Sequence, residues 1–420
     1  MDFNRRHVLQ GLGASGLLCA APALATGGRP KNLILVVAKG GWDTTYCLDP
    51  KPDSPFVDGP ERDDPSNEVV RTVNGIPFWS NPYARPHVDR FFEKWGHRTS
   101  VVNGIWVGSI VHDACLNAVL CGSRLGGRPD LTVIHGHEHG RDLPIGNLDL
   151  SGISRPGSLG HETVRVGFRH QLSMLLDSEE EFRSPYPDRY RPTPGDQDRV
   201  AAHLARRLEA YGAERSGQSG DRVHIDVLGE SQDRAQRLRD AKDVLGPALT
   251  LGSIPNTQQN FRLATDALSS GLTRAVLCED QQVGWDSHPS NAKQHEMWNT
   301  LLDRLANLCQ MLTDEALFED TVVVVTSEMS RTPLLNVNGG KDHWPYTSAM
   351  ILGGGLPGGR VLGGTDDRTL GLTVDLETGA LDPSGQACGV DNVSAGLLEM
   401  LDIDPAEWLP NTPPYRALQG

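Results

Sequence analysis

Apolar runs alternate with amphipathic stretches along most of this chain. Five runs are apolar on both faces and end in glycine or polar residues, at 32–43, 99–108, 272–280, 321–328 and 347–355. Such runs are typical of strands buried within a sheet. Shorter strand candidates lie at 131–136 and 145–152, and 111–121 has helical spacing. Strands alternating with helices predict an α/β fold built on a doubly wound, mostly parallel sheet.

Residues 196–245 interrupt this alternation with two charged amphipathic helices joined by a Gly/Ser turn. We interpret them as a helical insertion in one domain that spans residues 26–420. The insertion is either a lid over a site or a peripheral helical hairpin, and the pattern does not distinguish the two.

The first 25 residues have the features of an export signal. Arg5-Arg6 precede a short apolar stretch that ends in the small-residue cleavage pattern Ala23-Leu24-Ala25. The twin arginines favour the Tat route over an ordinary Sec signal, so we expect a periplasmic or secreted protein. The apolar stretch is too short for a membrane-spanning helix, and we expect no stable membrane insertion.

The net charge of -15 argues against nucleic acid and anionic membrane surfaces as partners. An anionic substrate is still compatible, because a bound cation inverts the field locally. Six cysteines follow the signal without CxxC spacing, which predicts mostly buried structural thiols and leaves room for one or two disulfides. The sequence gives no indication of oligomeric state.

Acidic residues and histidines follow the predicted strands at their carboxyl ends, where open parallel sheets bind ligands. The candidate metal ligands are Asp43, Asp286, His288, Glu328, Asp342 and His343. Carboxylate and imidazole ligands together suit Zn, Mn or Fe, while Ca accepts the oxygens alone. Each residue has a structural alternative: Asp43 as a helix cap, Glu328 paired with Arg331, and Asp342 as a partner of His343.

Four segments resemble a known family: "GGWD", "GWDSH", "TSEMSRTP" and "KDHW…ILGGGLPGGRVLGG". Their order and spacing are similar to the twin-arginine-exported family called domain of unknown function 1501, within the alkaline phosphatase and sulfatase superfamily. The resemblance extends from the signal to "DNVSAGLLEMLDI" near the end. It implies an alkaline-phosphatase-like three-layer sandwich, with helices on both faces of the sheet and a metal site over its carboxyl edge.

The resemblance also implies how the ligands divide between one or two divalent metal ions. One ion would take Asp43 and Glu328, and a second would take Asp286, His288 and His343. Met329 stands where relatives carry a histidine ligand, and a thioether is a poor ligand for hard cations, so the chain departs here from a complete two-ion site.

The nucleophile matches less well. Relatives carry it at the start of a helix similar to "VHDACLNAVLCGSR", where the aligned position falls on or near His112. Ser109 is the nearest hydroxyl, and a helix N-terminus there would favour an anionic oxygen. The alternative is that His112 replaces the missing ligand and water is the nucleophile. Arg331, in the same motif as Glu328, completes the catalytic candidates.

The run "HGHEH" at 135–139 attracts attention because three histidines alternate around a glutamate. It lacks the HExxH spacing of a zinc helix, and the family resemblance assigns it no ligand. We therefore expect an exposed turn or a fortuitous surface metal site.

Two functions fit these observations. The first is an exported, metal-dependent hydrolase acting on a phosphate or sulfate ester, either a small molecule or a polymer. The second is a non-catalytic, metal-stabilised binding or scaffold protein on the same fold, which the replaced ligand at Met329 and the missing clear nucleophile favour.

Overall fold

The computed structural model of the protein describes residues 31–165, 194–215, 229, 231, 234, 236–238, 256–280 and 284–420. The predicted signal at 1–25 lies outside these residues. The first part of the predicted insertion at 196–245 forms the mainly exposed helix Pro194–Arg215, and most of residues 216–245 also lie outside the described residues.

Fourteen strands occur in the described residues. They are β1 Asn32–Val37, β2 Val69–Val73, β3 Ile76–Ser80, β4 Thr99–Trp106, β5 Asn147–Asp149, β6 Thr163–Arg165, β7 Ala275–Glu279, β8 Thr321–Thr326, β9 Ser330–Arg331, β10 His343–Trp344, β11 Tyr346–Gly353, β12 Arg360–Gly363, β13 Thr373–Val374 and β14 Gln386–Ala387. The α-helices are α1 Pro86–Trp95, α2 His112–Cys121, α3 Leu131–His139, α4 Pro194–Arg215, α5 Thr257–Ser269, α6 Lys293–Asp314, α7 Val390–Met400 and α8 Pro405–Trp408.

Eight of the strands form the central sheet, in the order β12-β4-β11-β8-β1-β7-β5-β6. All its pairings are parallel except those of β11, which runs antiparallel to both β4 and β8. The mostly parallel sheet is therefore confirmed. The apolar runs predicted to be strands become β1, β4, β7, β8 and β11, and each is almost wholly buried.

Alternate residues of the central strands belong to two separate hydrophobic cores. Ile34 and Val36 of β1 lie in the core shared with α1, α5 and α6. Leu33 and Leu35 lie in the core shared with α2, α3 and α7. Because successive side chains of a strand point to opposite faces, each face of the sheet carries a layer of helices. This is the predicted three-layer α/β sandwich.

The carboxyl ends of β7, β1 and β8 lie side by side in the middle of the sheet. Val37, the last residue of β1, is in register with Glu279 of β7 and Thr326 of β8. The loops that follow these strands carry most of the predicted ligands. The strand order thus brings distant segments to one edge, as expected for a site at the end of a parallel sheet.

The described cysteines, all six of them, are buried and unpaired. They act as core residues, which agrees with the prediction of structural thiols. Among the described helices, none combines the length and apolarity needed to cross a bilayer.

Candidate metal centre

The side chain of Glu328 is fully buried two residues beyond the end of β8. Both carboxylate oxygens accept hydrogen bonds from the Gly40 amide, at 2.8 and 3.0 Å. Oε2 also accepts from the Ser327 hydroxyl at 3.1 Å, and Oε1 lies 2.8 Å from His112 Nδ1. Glu328 is therefore satisfied by neutral donors and one imidazole, and Arg331 is not its partner.

Gly40 can approach this carboxylate because its backbone has a φ of +124°. A Cβ at this position would stand 2.7 Å from the amide nitrogen of Asp286, closer than van der Waals contact permits. Glycine is required here for both reasons. This explains the first glycine of the "GGWD" motif and joins the loop after β1 to the loop that carries Asp286.

Three histidines surround the carboxylate of Asp286. His288 Nε2 lies 3.2 Å from Asp286 Oδ1, and His343 Nε2 lies 3.6 Å from the same oxygen. His112 Nε2 lies 3.8 Å from Oδ2. The Nε2 atoms of His288 and His343 are only 2.9 Å apart. His112, Asp286 and His343 form a group whose ligand atoms all lie within 4.8 Å of one another, a spacing that one ion can bridge.

The other nitrogen of each ring is fixed by an oxygen acceptor. His112 Nδ1 meets Glu328 at 2.8 Å, His288 Nδ1 meets Asp342 Oδ1 at 2.9 Å, and His343 Nδ1 meets the Ile110 carbonyl at 2.8 Å. An Nδ1 that donates leaves a lone pair on Nε2, directed at the cluster. Two such lone pairs 2.9 Å apart repel each other unless a proton or a cation lies between them. Metal-binding histidines show this same arrangement.

Arg331 is fully buried and connects three loop segments. Its guanidinium donates to the carbonyls of Gly40, Gly41 at 2.8 Å, Lys341 at 3.2 Å and Trp285 at 3.3 Å. It also donates to Asp286 Oδ1 at 2.8 Å. The guanidinium orients Asp286, and each of its three nitrogens donates to a group of the protein.

The charges of the cluster correspond to those of a site prepared for a cation. Burial acts against ionisation of Asp286, but the Arg331 charge and hydrogen bond lower the pKa of this carboxyl. Burial lowers the pKa of His343, which favours the neutral ring. The hydrogen bond to Glu328 raises the pKa of His112, against the effect of burial. A cation at the cluster would compete with protonation of His112.

Two predicted ligands contact the histidines rather than the centre of the cluster. Glu328 and Asp342 each bind an Nδ1 atom, so they fix the rings of His112 and His288. Asp342 is exposed and also accepts from Asn336 at 3.2 Å. The hydrogen bond from His288 lowers the pKa of Asp342, so it stays ionised.

Asp43 lies in a separate buried network. Its Oδ2 forms an ion pair with Lys341 Nζ at 2.7 Å and accepts from Asn291 at 2.7 Å. Its Oδ1 caps the short helix Thr44–Tyr46 by accepting from the Thr45 amide and hydroxyl. Both oxygens are thus used, and the structure does not bring Asp43 into contact with the histidines. Lys341 was not among the predicted site residues, although it stands next to Asp342.

Ser109 and Met329 complete the predicted positions. Ser109 is half-buried just before α2, and its hydroxyl accepts from the Val111 amide at 3.2 Å. Met329 is fully buried in a small apolar cluster with Val107 and Cys115. The methionine fills a packed space, and His112 is the imidazole that contacts Glu328.

The "HGHEH" run is helical and its histidines have separate structural contacts. It forms the second half of α3, so the predicted strand at 131–136 and the predicted exposed turn are both wrong. His135 is fully buried, with Nε2 3.0 Å from the Lys31 carbonyl. His137 meets Glu162 at 2.8 Å, and His139 meets a backbone carbonyl at 2.8 Å. Helical geometry overrides the alternation, because residues two apart on a helix point in different directions.

We expect His135 to make stability depend on pH. Burial lowers the pKa of His135 to about 3, against about 6.5 in an unfolded chain. Below about pH 6.5 the unfolded chain binds a proton that the folded protein excludes. The free energy of unfolding therefore decreases as the pH is lowered, and it should be about 2 kcal/mol smaller at pH 5 than at pH 7.5. Urea denaturation of the wild type and His135→Gln at both pH values checks this. Equal pH dependence of the two proteins would contradict the prediction.

The family model for "Protein of unknown function (DUF1501)" matches residues 30–407. No curated protein sequence matches the chain significantly. Among solved structures, the chain is similar to the PsFucS1 sulfatase from Pseudoalteromonas sp., with 8% identity, 93% of this chain and 72% of that chain covered, and a TM-score of 0.41. It is also similar to the phosphonate monoester hydrolase of Agrobacterium radiobacter, with 11% identity, 91% and 78% coverage, and a TM-score of 0.35.

A third similar structure is a mutant of TAB5 alkaline phosphatase with Mg bound in its M3 site. It shares 14% identity with the chain, the alignment covers 79% of this chain and 94% of that one, and the TM-score is 0.34. The family match spans most of the chain, from just after the predicted signal to near the C-terminus. The predicted resemblance is confirmed, and the chain belongs to the DUF1501 family.

Proposed function

We propose that the protein is an exported, metal-dependent hydrolase of phosphate or sulfate esters. One observation carries the proposal: three imidazole Nε2 atoms converge on the carboxylate of Asp286 while the opposite nitrogen of each ring is fixed by an oxygen. Export is inferred from Arg5-Arg6 and the apolar stretch that follows.

The donor set fits a divalent transition metal ion held by His112, Asp286, His288 and His343. Three imidazoles and one carboxylate suit Zn, Mn or Fe, whereas Ca requires more oxygen ligands than the cluster offers. Such an ion would neutralise the ester oxygens and ease the ionisation of the attacking group.

The surrounding residues hold these ligands in place. Glu328 fixes the ring of His112, Asp342 fixes His288, and Arg331 holds the carboxylate of Asp286. We assign Arg331 to positioning because its guanidinium is buried and bonded to four carbonyls. Ser109, half-buried and three residues before His112, is the candidate hydroxyl nucleophile, and water is the alternative.

The test combines metal analysis with ester hydrolysis. Protein purified without chelator should contain stoichiometric Zn, Mn or Fe and hydrolyse at least one member of a panel of phosphate and sulfate esters. Removing the metal should lower the rate by about a hundredfold or more, and adding it back should restore the rate. A Ser109→Ala variant with unchanged activity would assign the nucleophile to water.

The same experiment separates this function from the scaffold alternative. Bound metal without hydrolysis of any ester would support a metal-stabilised binding protein. The absence of metal from active, folded protein would contradict the proposed site.

A further inference from the structure

Asp43 and Lys341 form a buried ion pair at the same sheet edge as the histidine cluster. Both side chains are fully buried, and Lys341 Nζ lies 2.7 Å from Asp43 Oδ2. The ammonium also donates to the Thr45 hydroxyl at 3.2 Å and lies 5.3 Å from the centre of the Tyr46 ring. A buried carboxylate needs a cation or several donors close by, and Asp43 has both.

Neither Asp43 nor Glu328 has a carboxylate oxygen free to bind an ion. The oxygens of Asp43 bind Lys341, Asn291 and Thr45. Those of Glu328 accept from Gly40, Ser327 and His112, as described above. An ion between these two acids would have to displace an ammonium and several hydrogen bonds, all of them buried except the partly buried one with His112.

We propose that the ammonium of Lys341 takes the place of a second metal ion, so that the site holds a single ion and acts on a monoanionic ester. This rests on the proposed function, because it assumes an ion at the histidine cluster. Monoanionic esters comprise sulfate monoesters and phosphodiesters, whereas a phosphate monoester is a dianion at mildly alkaline pH.

The charge balance of the site supports this substrate class. A divalent ion and Arg331 together carry three positive charges, and Asp286, Glu328 and Asp342 carry three negative charges. The Lys341–Asp43 pair adds nothing to the sum. A site without excess positive charge attracts a dianion poorly, because the three carboxylates repel each negative charge of the substrate.

The number of bound ions tests the first half of the proposal. Metal-free protein is loaded with excess Zn²⁺, or separately Mn²⁺, then desalted and analysed for metal per chain. We expect one ion per chain in the wild type and in the double variant Asp43→Asn/Lys341→Met, which removes both charges together. Two ions in the wild type would overturn the proposal, and the wild-type ratio decides even where the double variant does not fold. No bound ion at all would overturn the proposed function as well.

The charge of the substrate tests the second half. The loaded enzyme is assayed at pH 8 with 4-nitrophenyl sulfate, bis(4-nitrophenyl) phosphate and 4-nitrophenyl phosphate, each rate being divided by the uncatalysed rate. The compared quantity is kcat/KM divided by the rate constant of the uncatalysed reaction. For at least one of the first two substrates it should be about tenfold or more larger than for the third, an effect on the order of those produced by local electrostatic fields. The faster of the two identifies a sulfatase or a phosphodiesterase. Preference for the dianionic monoester would overturn the proposal, whereas hydrolysis of none would count against the proposed function itself.

Discussion

Replacing His343 by alanine should lower the affinity for Zn²⁺ or Mn²⁺ by about a hundredfold or more. The ring supplies one of the Nε2 atoms at the centre of the cluster and lies 2.9 Å from that of His288. Glu328→Gln should have a smaller effect, about ten- to a hundredfold, because Glu328 acts on the ion through His112. Competition with a chromophoric chelator measures both affinities.

His87→Ala is the matched control for this series. His87 lies on α1, where its Nδ1 meets Asp303 at 2.9 Å, so it is also a histidine with a carboxylate partner. Its removal should leave metal affinity unchanged. If His343→Ala binds metal as tightly as the wild type and folds normally, the cluster is not the metal site.

The fold could be predicted from the sequence because its central strands are buried on both sides. β1 and β8 contain uninterrupted apolar runs at 33–37 and 322–325, and such runs have few other uses in a chain of this length. Parallel order then places the segments after them at one edge. The adjacency of Asp286, His288 and His343 in space follows from that geometry, although the sequence alone could not give their distances.

The role of each acid within the site could not be predicted in this way. Glu328 and Asp286 both follow buried strands, yet one contacts an imidazole Nδ1 and the other lies among the Nε2 atoms. The difference depends on loop conformation, in particular on the amide of Gly40 that takes up Glu328. No local sequence signal specifies such a contact, because Gly40 and Glu328 are 288 positions apart.

The partner of Asp43 could not be predicted from the sequence either. As a residue after a strand, Asp43 has the position expected of a metal ligand. Its partner Lys341 is contributed by a distant glycine-rich loop that also carries Asp342 and His343. A lysine in a loop usually indicates an exposed side chain, and only the packed structure shows that this one is buried.

Replacing Arg331 by methionine should reduce the free energy of unfolding by about 3–5 kcal/mol. The substitution keeps a long side chain but removes the buried charge and every donor it directs at the loop carbonyls and Asp286. Those carbonyls are buried and would lose hydrogen bonds that water cannot easily replace. Urea denaturation in the presence of a chelator measures this effect apart from any change in metal binding.

Arg262→Met provides the comparison, since Arg262 is 59% exposed and pairs with Asp266 one turn later on α5. Its loss should cost at most about 1 kcal/mol, as expected of a surface ion pair. A large cost for Arg331→Met and a small one for Arg262→Met would support a positioning role in which the guanidinium joins the loops around the metal ligands. If Arg331 instead binds the substrate directly, the free energy of unfolding of Arg331→Met should lie within about 1 kcal/mol of the wild-type value while activity is lost. That result would contradict the positioning role, because a side chain that joins three loop segments cannot be removed without a cost in stability.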